Sequence, residues 1–265
     1  DGVINRVIDQ IDEDFSDCTY IFLCAPVSSN AKYLEQLKPL IGPDCIITDV
    51  GSTKTDIHEK VTDLDMEANF IGGHPMAGSE KNGIDGARPD LFEGANWILC
   101  PDADTPPEHF QRLHELITSL NARVVAIAPD EHDDSIAVVS HVPHIIAASL
   151  VQLAHRHADE QQSLMRLAAG GFKDSTRIAA GSSKLWCGIA FDNACALTSG
   201  LREMQGIIGK AWECIPHPAL NNHSTEIGES LLSACPAFCC RSFRKLFLPD
   251  VLRRSGFPWC APVMA

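Results

Sequence analysis

The feature that most constrains this chain is a series of short apolar runs without polar alternation, each closed by turn-forming residues and followed by a helical stretch. Tyr20 to Ala25 is the first, ended by Pro26; Ser28 or Ser29 then stands ready to cap a helix to Ile41, where Gly42-Pro43 stops it. Cys45 to Val50 is the second, followed by Gly51-Ser52-Thr53 and a polar helical stretch from Lys54. Phe70 to Gly73 and Trp97 to Cys100 are two more; Pro106-Pro107 opens a helix to about Leu120, and Arg123 to Ile127 returns to strand character. Strands buried on both faces and separated by helices predict an α/β fold with a parallel sheet.

After Pro129 the pattern changes. A helical period runs from Asp130 to Ala158, with Pro143 expected to kink it. A shorter helix is expected around Gln161 to Ala169, then the loop Gly170-Gly171, then a helix from Ser182 or Ser183 to about Ile208, weakened by Gly200 and Gly206. Three regions follow: an α/β domain over 1–128, an all-helical domain over 129–210 and an atypical tail over 211–265. The tail gathers Cys214, Cys235, Cys239, Cys240 and Cys260 with Pro and Arg and shows no sustained helical period. It reads as an irregular or mis-joined terminus.

Composition narrows the partners. The formal net charge of -14 disfavours nucleic acid and anionic membrane surfaces. No apolar run in the sequence approaches the roughly 20 residues of a bilayer span, and Asp1-Gly2-Val3 does not open a signal peptide. The 11 cysteines show no paired spacing, so a reducing cytoplasm is expected.

In open α/β sheets, ligands bind beyond the carboxyl ends of the strands. Three polar clusters fall there: Ala25-Pro26-Val27-Ser28, Asp49 to Lys54, and Gly72 to Glu80, which holds His74 after two glycines. Each alone is an ordinary turn; three in register point to a site. The helical part adds His132-Asp133, Ser140 to His144, and Gly170 to Arg177. On a straight helix at about 100° per residue, His141 and His144 share a face and His132 points the opposite way. That spacing is not a zinc site, and no His-Glu-x-x-His pair exists.

The strings Asp49 to Lys54, Gly72 to Glu80, His132 to His144 and Gly171 to Trp186, in this order and at this spacing, resemble the signature motifs of the prephenate/arogenate dehydrogenase family over about residues 15–208. The resemblance implies an incomplete doubly wound, Rossmann-like sheet followed by a helical domain. It implies oxidative decarboxylation of prephenate to 4-hydroxyphenylpyruvate with hydride transfer to NAD, NADP not being excluded. By position, His74 resembles the catalytic histidine and Ser52 the hydroxyl that orients it. Arg177 resembles the substrate arginine; His144, His132, Gly170 and Trp186 resemble substrate-pocket residues. Ala25, Pro26, Val27, Asp49 and Gly51 fall where the family binds cofactor. Lys54 and Lys173 are the other local cations, with solvated surface roles equally open. His74 and Arg177 are expected to face each other across one cleft. A homodimer is implied. The alternatives are an arogenate dehydrogenase, a non-catalytic module that binds an aromatic acid through Arg177, and a metal hydrolase using His132, His141 and His144.

The sequence departs from the family at its ends. No Gly-x-Gly-x-x-Gly occurs anywhere in the chain, so the start reads as truncated by a few tens of residues and cofactor binding by this chain is expected to be poor. The segment after about Lys210 does not resemble the family's dimer-forming bundle.

Overall fold

The computed structural model describes residues 4–78, 86–158 and 163–213. Strands β1 (Tyr20–Leu23), β2 (Ile46–Asp49), β3 (Phe70–Pro75), β4 (Asn96–Cys100) and β5 (Arg123–Ala126) form one sheet in that order. β1–β2, β2–β3 and β4–β5 are parallel; β3–β4 is antiparallel, with Gly73 opposite Leu99 and His74 opposite Ile98. The expected parallel pairing thus fails at one place, and connectivity shows why. Each parallel pair is joined through a helix: α1 (Val27–Leu37), α2 (Thr55–Asp63) or α3 (Pro107–Ser119). Between β3 and β4 the described residues contain no α-helix, and an antiparallel pair needs no such crossover.

Successive strand residues point to opposite faces, so adjacent isoleucines enter different cores. Ile47 packs with Leu34, Leu37, Ile57, Val61 and Phe70, whereas Ile46 packs with Ile71, Trp97, Leu99, Leu113 and Ile117. The helical members of the first set come from α1 and α2, those of the second from α3. Burying each such side chain contributes about 1.5–3 kcal/mol. α1 begins at Val27 with Pro26 at its N-cap and no side-chain cap, and ends earlier than expected, at Leu37. α3 gives way to Asn121 at φ +59°, a left-handed position that Asn tolerates better than most residues.

The helical part opens with α4 (Pro129–Ile136), continues as a π-helical turn (Ala137–His141) and then as α5 (Val142–Ala158). The Val142 N–H bonds the Ala137 carbonyl, five residues back. Pro143 follows at once. It has no N–H to give and its ring crowds the preceding turn, so the wider turn, rather than a simple kink, absorbs it. This run has a mean hydropathy of 1.7 over its most apolar window and passes, by length and composition only, for a membrane span. It also buries His132, Asp133, His141 and His144 within the protein.

Beyond it lie α6 (Gly170–Thr176), a 3-10 turn (Arg177–Ala180) and α7 (Ser183–Asp192), whose N-terminus is capped by the Ser182 hydroxyl accepting from Leu185 N at 3.5 Å. The single helix expected from here to Ile208 is broken at Asn193, after which α8 (Ala194–Glu213) begins. The chain divides into compact units Asp1–Leu201 and Arg202–Ala265. Of the second, only the end of α8 is described. The tail expected after residue 213, with its five cysteines, lies outside the described residues, as do Ser79, Glu80 and Gln161.

Candidate active site

Because β1, β2 and β3 are parallel, the turn at Ala25, the loop after Asp49 and the end of β3 at His74 stand along one edge of the sheet. Glycines let them crowd together. A Cβ at Gly51 would lie 2.7 Å from both Val27 Cγ2 and Asp49 Oδ2. One at Gly73 would lie 2.4 Å from the Asp49 carbonyl, and one at Gly72 2.5 Å from His58 Nε2. No side chain fits there, which is the physical reason for two glycines before His74.

Beneath this edge sits an ion pair that the sequence did not announce. Lys54 and Asp49 are both fully buried, with Nζ 2.5 Å from Oδ2. Asp49 also accepts from Gly51 N at 2.8 Å and Gly73 N at 3.0 Å. Lys54 is therefore no solvated surface cation, and Asp49, expected beside the cofactor, is enclosed with its carboxylate engaged by Lys54 and two backbone N–H groups. Asp49 ties the end of β2 to the strand that carries His74.

His74 is buried at 8% exposure, and its Nδ1 lies 2.8 Å from His132 Nε2. His132, wholly enclosed, places its own Nδ1 2.8 Å from Asp133 Oδ1. The Asp133 carboxylate also receives Lys54 N at 2.9 Å and Thr55 N at 2.8 Å, and so caps the N-terminus of α2, where an anion is favoured. Asn193, at the α7–α8 break, donates to the Asp133 carbonyl at 2.8 Å and lies 3.3 Å from His141 Nδ1. Sequence reasoning missed Asn193, because nothing local marks it; its inward amide shows only in three dimensions.

Electrostatics follow from this enclosure. Burial, with repulsion from His132 and Lys54, pushes His74 down to about 3. Burial takes His141 to about 4, against the opposing pull of Asp133. Burial opposes the charge of Asp133, but the hydrogen bonds from His132, Thr55 and Lys54 outweigh it and hold its pKa below the usual carboxylate value. A neutral imidazole thus stands on a carboxylate-anchored neighbour.

The outer residues are held differently. His144 stacks on Trp186, ring centroids 3.5 Å apart and 9° from parallel, and His141 meets the same indole edge-on at 6.0 Å. A Cβ at Gly181 would lie 2.6 Å from Trp186 Nε1, so this glycine makes room for the indole. Burial lowers the His144 pKa, partly offset by a hydrogen bond with the Ile178 backbone. Arg177 opens the same 3-10 turn and is exposed. Gly170, at the start of α6, is exposed with open space around it. Ser52 is half-buried, and the partner of His74 Nδ1 is His132 rather than Ser52. His132, which the resemblance places in the substrate pocket, has no exposed surface in this structure. Among the described residues no hydrogen bond or ion pair joins His74 to Arg177; His141 and His144 both meet Trp186, and His144 bonds the Ile178 backbone next to Arg177. A further, partly buried pair, His58 Nδ1 with Asp102 Oδ2 at 3.2 Å, lies beside Gly72 and had no sequence signal.

Comparison with known proteins places this arrangement. Residues 2–126 match the nucleotide-binding domain of prephenate dehydrogenase and residues 128–223 its dimerization domain. The prephenate dehydrogenase of Bacillus subtilis is 39% identical over 198 residues, covering 72% of this chain and 52% of the relative. Synechocystis arogenate dehydrogenase superimposes with a TM-score of 0.69 at 30% identity, covering 88% of this chain and 81% of that one. Prephenate dehydrogenase from Aquifex aeolicus, solved with hydroxyphenyl propionate and NAD+, gives a TM-score of 0.73 at 26% identity, covering 89% and 80%. The chain spans about half the length of the curated bacterial relatives it matches first. Its matched domains, its sheet and its four motifs agree, and the chain belongs to the prephenate/arogenate dehydrogenase family.

Proposed function

We propose that this chain carries the catalytic part of an NAD-dependent prephenate dehydrogenase, which converts prephenate to 4-hydroxyphenylpyruvate and carbon dioxide. The observation that carries the reading is the buried His74 imidazole, kept neutral at the sheet edge by its surroundings. A neutral ring accepts a hydrogen bond and then a proton from the substrate hydroxyl. Loss of the ring carboxylate as carbon dioxide sends its bonding electrons through the ring to the former hydroxyl oxygen, which takes the proton back as the ring becomes aromatic, while hydride passes from the carbon that carries this oxygen to a bound nicotinamide. Arg177, exposed beside the His144–Trp186 stack, suits a substrate carboxylate through its forked guanidinium. His144 is biased towards its neutral form and offers no charge to an ammonium group, which favours the keto acid prephenate over arogenate.

Ala25, Pro26, Val27 and Gly51 follow the carboxyl ends of β1 and β2, with Gly51 close against Val27, and open α/β sheets bind dinucleotides beyond such ends. A nicotinamide cofactor held there supplies the hydride acceptor. NAD is favoured by its presence in the Aquifex aeolicus complex. A homodimer through the helical domain, in the cytoplasm, completes the reading. It is supported by the dimerization-domain match and by exposed Val138, Val139, Leu150, Val151 and Leu153 on one helical run.

The test is prephenate-dependent reduction of NAD by a polypeptide that joins a strand, Gly-rich turn and helix to residue 1. Reduced nicotinamide should accumulate. A folded polypeptide of this kind that binds NAD and prephenate without turnover would overturn the proposal.

A further inference from the structure

The hydrogen-bond chain under His74 fixes more than its position. Asp133 is ionised, anchored by the N–H groups of Lys54 and Thr55, and only accepts. His132 Nδ1, 2.8 Å from Asp133 Oδ1, must therefore carry a hydrogen. With a single ring hydrogen, placed at Nδ1, His132 presents a lone pair at Nε2. His74 Nδ1, 2.8 Å away, must be the donor to it. What is left on His74 is a lone pair at Nε2, the form a proton acceptor requires.

We infer that His132 and Asp133 are positioning residues that lock His74 into its Nδ1–H tautomer, so that its Nε2 is always ready to take a proton. The inference rests on His74 acting as the base proposed above. Three features support it. Every link lies at 2.8 Å. His132 has no exposed surface, so solvent cannot exchange its partner. The same carboxylate caps α2, so the relay is anchored to a helix that also packs against the sheet. The inference also gives the buried His132 a role that does not require it to touch substrate.

The experiment reads tautomers directly. Two-bond nitrogen–proton correlation spectra of the whole chain, labelled with 15N-histidine, show which ring nitrogen bears hydrogen, and single substitutions assign the signals. Both His74 and His132 should appear as Nδ1–H near neutral pH. An Nε2–H signal for either ring in the unaltered chain would overturn the inference, and that measurement needs no variant to fold. In folded His132→Phe, which keeps a ring but removes the acceptor, His74 should become a mixture of tautomers; an unchanged His74 signal would also overturn it. In the extended polypeptide, His132→Phe should lower kcat by about 10²–10⁴-fold with KM within a few-fold, the pattern of a base held in the wrong tautomer. The tautomers are read without substrate or cofactor, so this inference and the dehydrogenase reading fail separately.

Discussion

Two halves of the candidate site are built on opposite principles. Around His74, polar groups are enclosed and paired: Lys54 with Asp49, His132 with Asp133, each bonded in turn to backbone of β3 or α2. Around Arg177, contacts are made by stacking and exposure: an imidazole on an indole, a 3-10 turn, a short helix of glycines and polar residues. Enclosed charge is costly unless every partner is in place, so the inner half tolerates little displacement. Stacked and exposed groups shift at small cost. On the function proposed above, chemistry belongs to the rigid half and recognition to the adaptable one.

Substitutions can break this division, the largest effect coming from the inner half. His74→Asn should lower kcat of the extended polypeptide by about 10²–10⁴-fold, measured from steady-state formation of reduced nicotinamide. Residual turnover within ten-fold of the parent would remove His74 from the chemistry. Next in size, Lys54→Met strands a buried carboxylate and should destabilise the fold by about 3–5 kcal/mol. A denaturant midpoint unchanged in that variant would show that the Asp49 pair is not the anchor of the sheet edge.

Arg177→Ala should act in the reverse sense. The residue is exposed, so stability should move by no more than about 0.5 kcal/mol. The loss of a charged hydrogen bond should weaken prephenate binding by about 1.5–3 kcal/mol, seen as a raised KM or by calorimetry. A large fall in melting temperature would make Arg177 structural and blur the contrast.

Acid titration gives the smallest effect per unit and bears most strongly on the inner half, where the lowest histidine pKa values lie. His74 and His141 are lowered to about 3 and about 4, so the unfolded chain binds protons that the fold refuses. Their contribution is complete above the ordinary histidine pKa of about 6.5. It is lost as pH falls towards 4, at about 1.4 kcal/mol per pH unit for each proton taken up only on unfolding. His74→Asn should flatten that slope by one proton, measured as the pH dependence of unfolding free energy.

Much of the architecture was legible because its causes are local. Unbroken apolar runs gave β1 to β5 to within a few residues, and Pro107 and Pro129 marked helix starts. The antiparallel β3–β4 pair was not legible, since pairing direction depends on a connection that carries no helix in its described part. The three sheet-edge motifs were visible from their small residues. Their energetic centre was not: Lys54 looks like any surface lysine until its strand neighbours close around it. His132 and Asp133 were visible as a motif, but the full enclosure of His132 was not. Which side of a helix faces a substrate depends on every turn between, and one of those turns was not α-helical.

That turn has a consequence of its own. In the five residues Ala137–His141 the backbone takes a wider coil, so each residue advances the helix by less than the 100° of an α-helix. This lag brings His132, His141 and His144 all into the interior, although a uniform helix sends the first away from the other two. The segment therefore works as a phase adjuster with a fixed length. At its present length, ordinary winding would turn all of α5 by one residue's rotation, roughly 100°, out of step with α4, and carry His132 away from His141 and from the ring that stacks on Trp186. Deleting one residue at the same time would cancel that rotation, so the wide turn holds one residue more than the register needs.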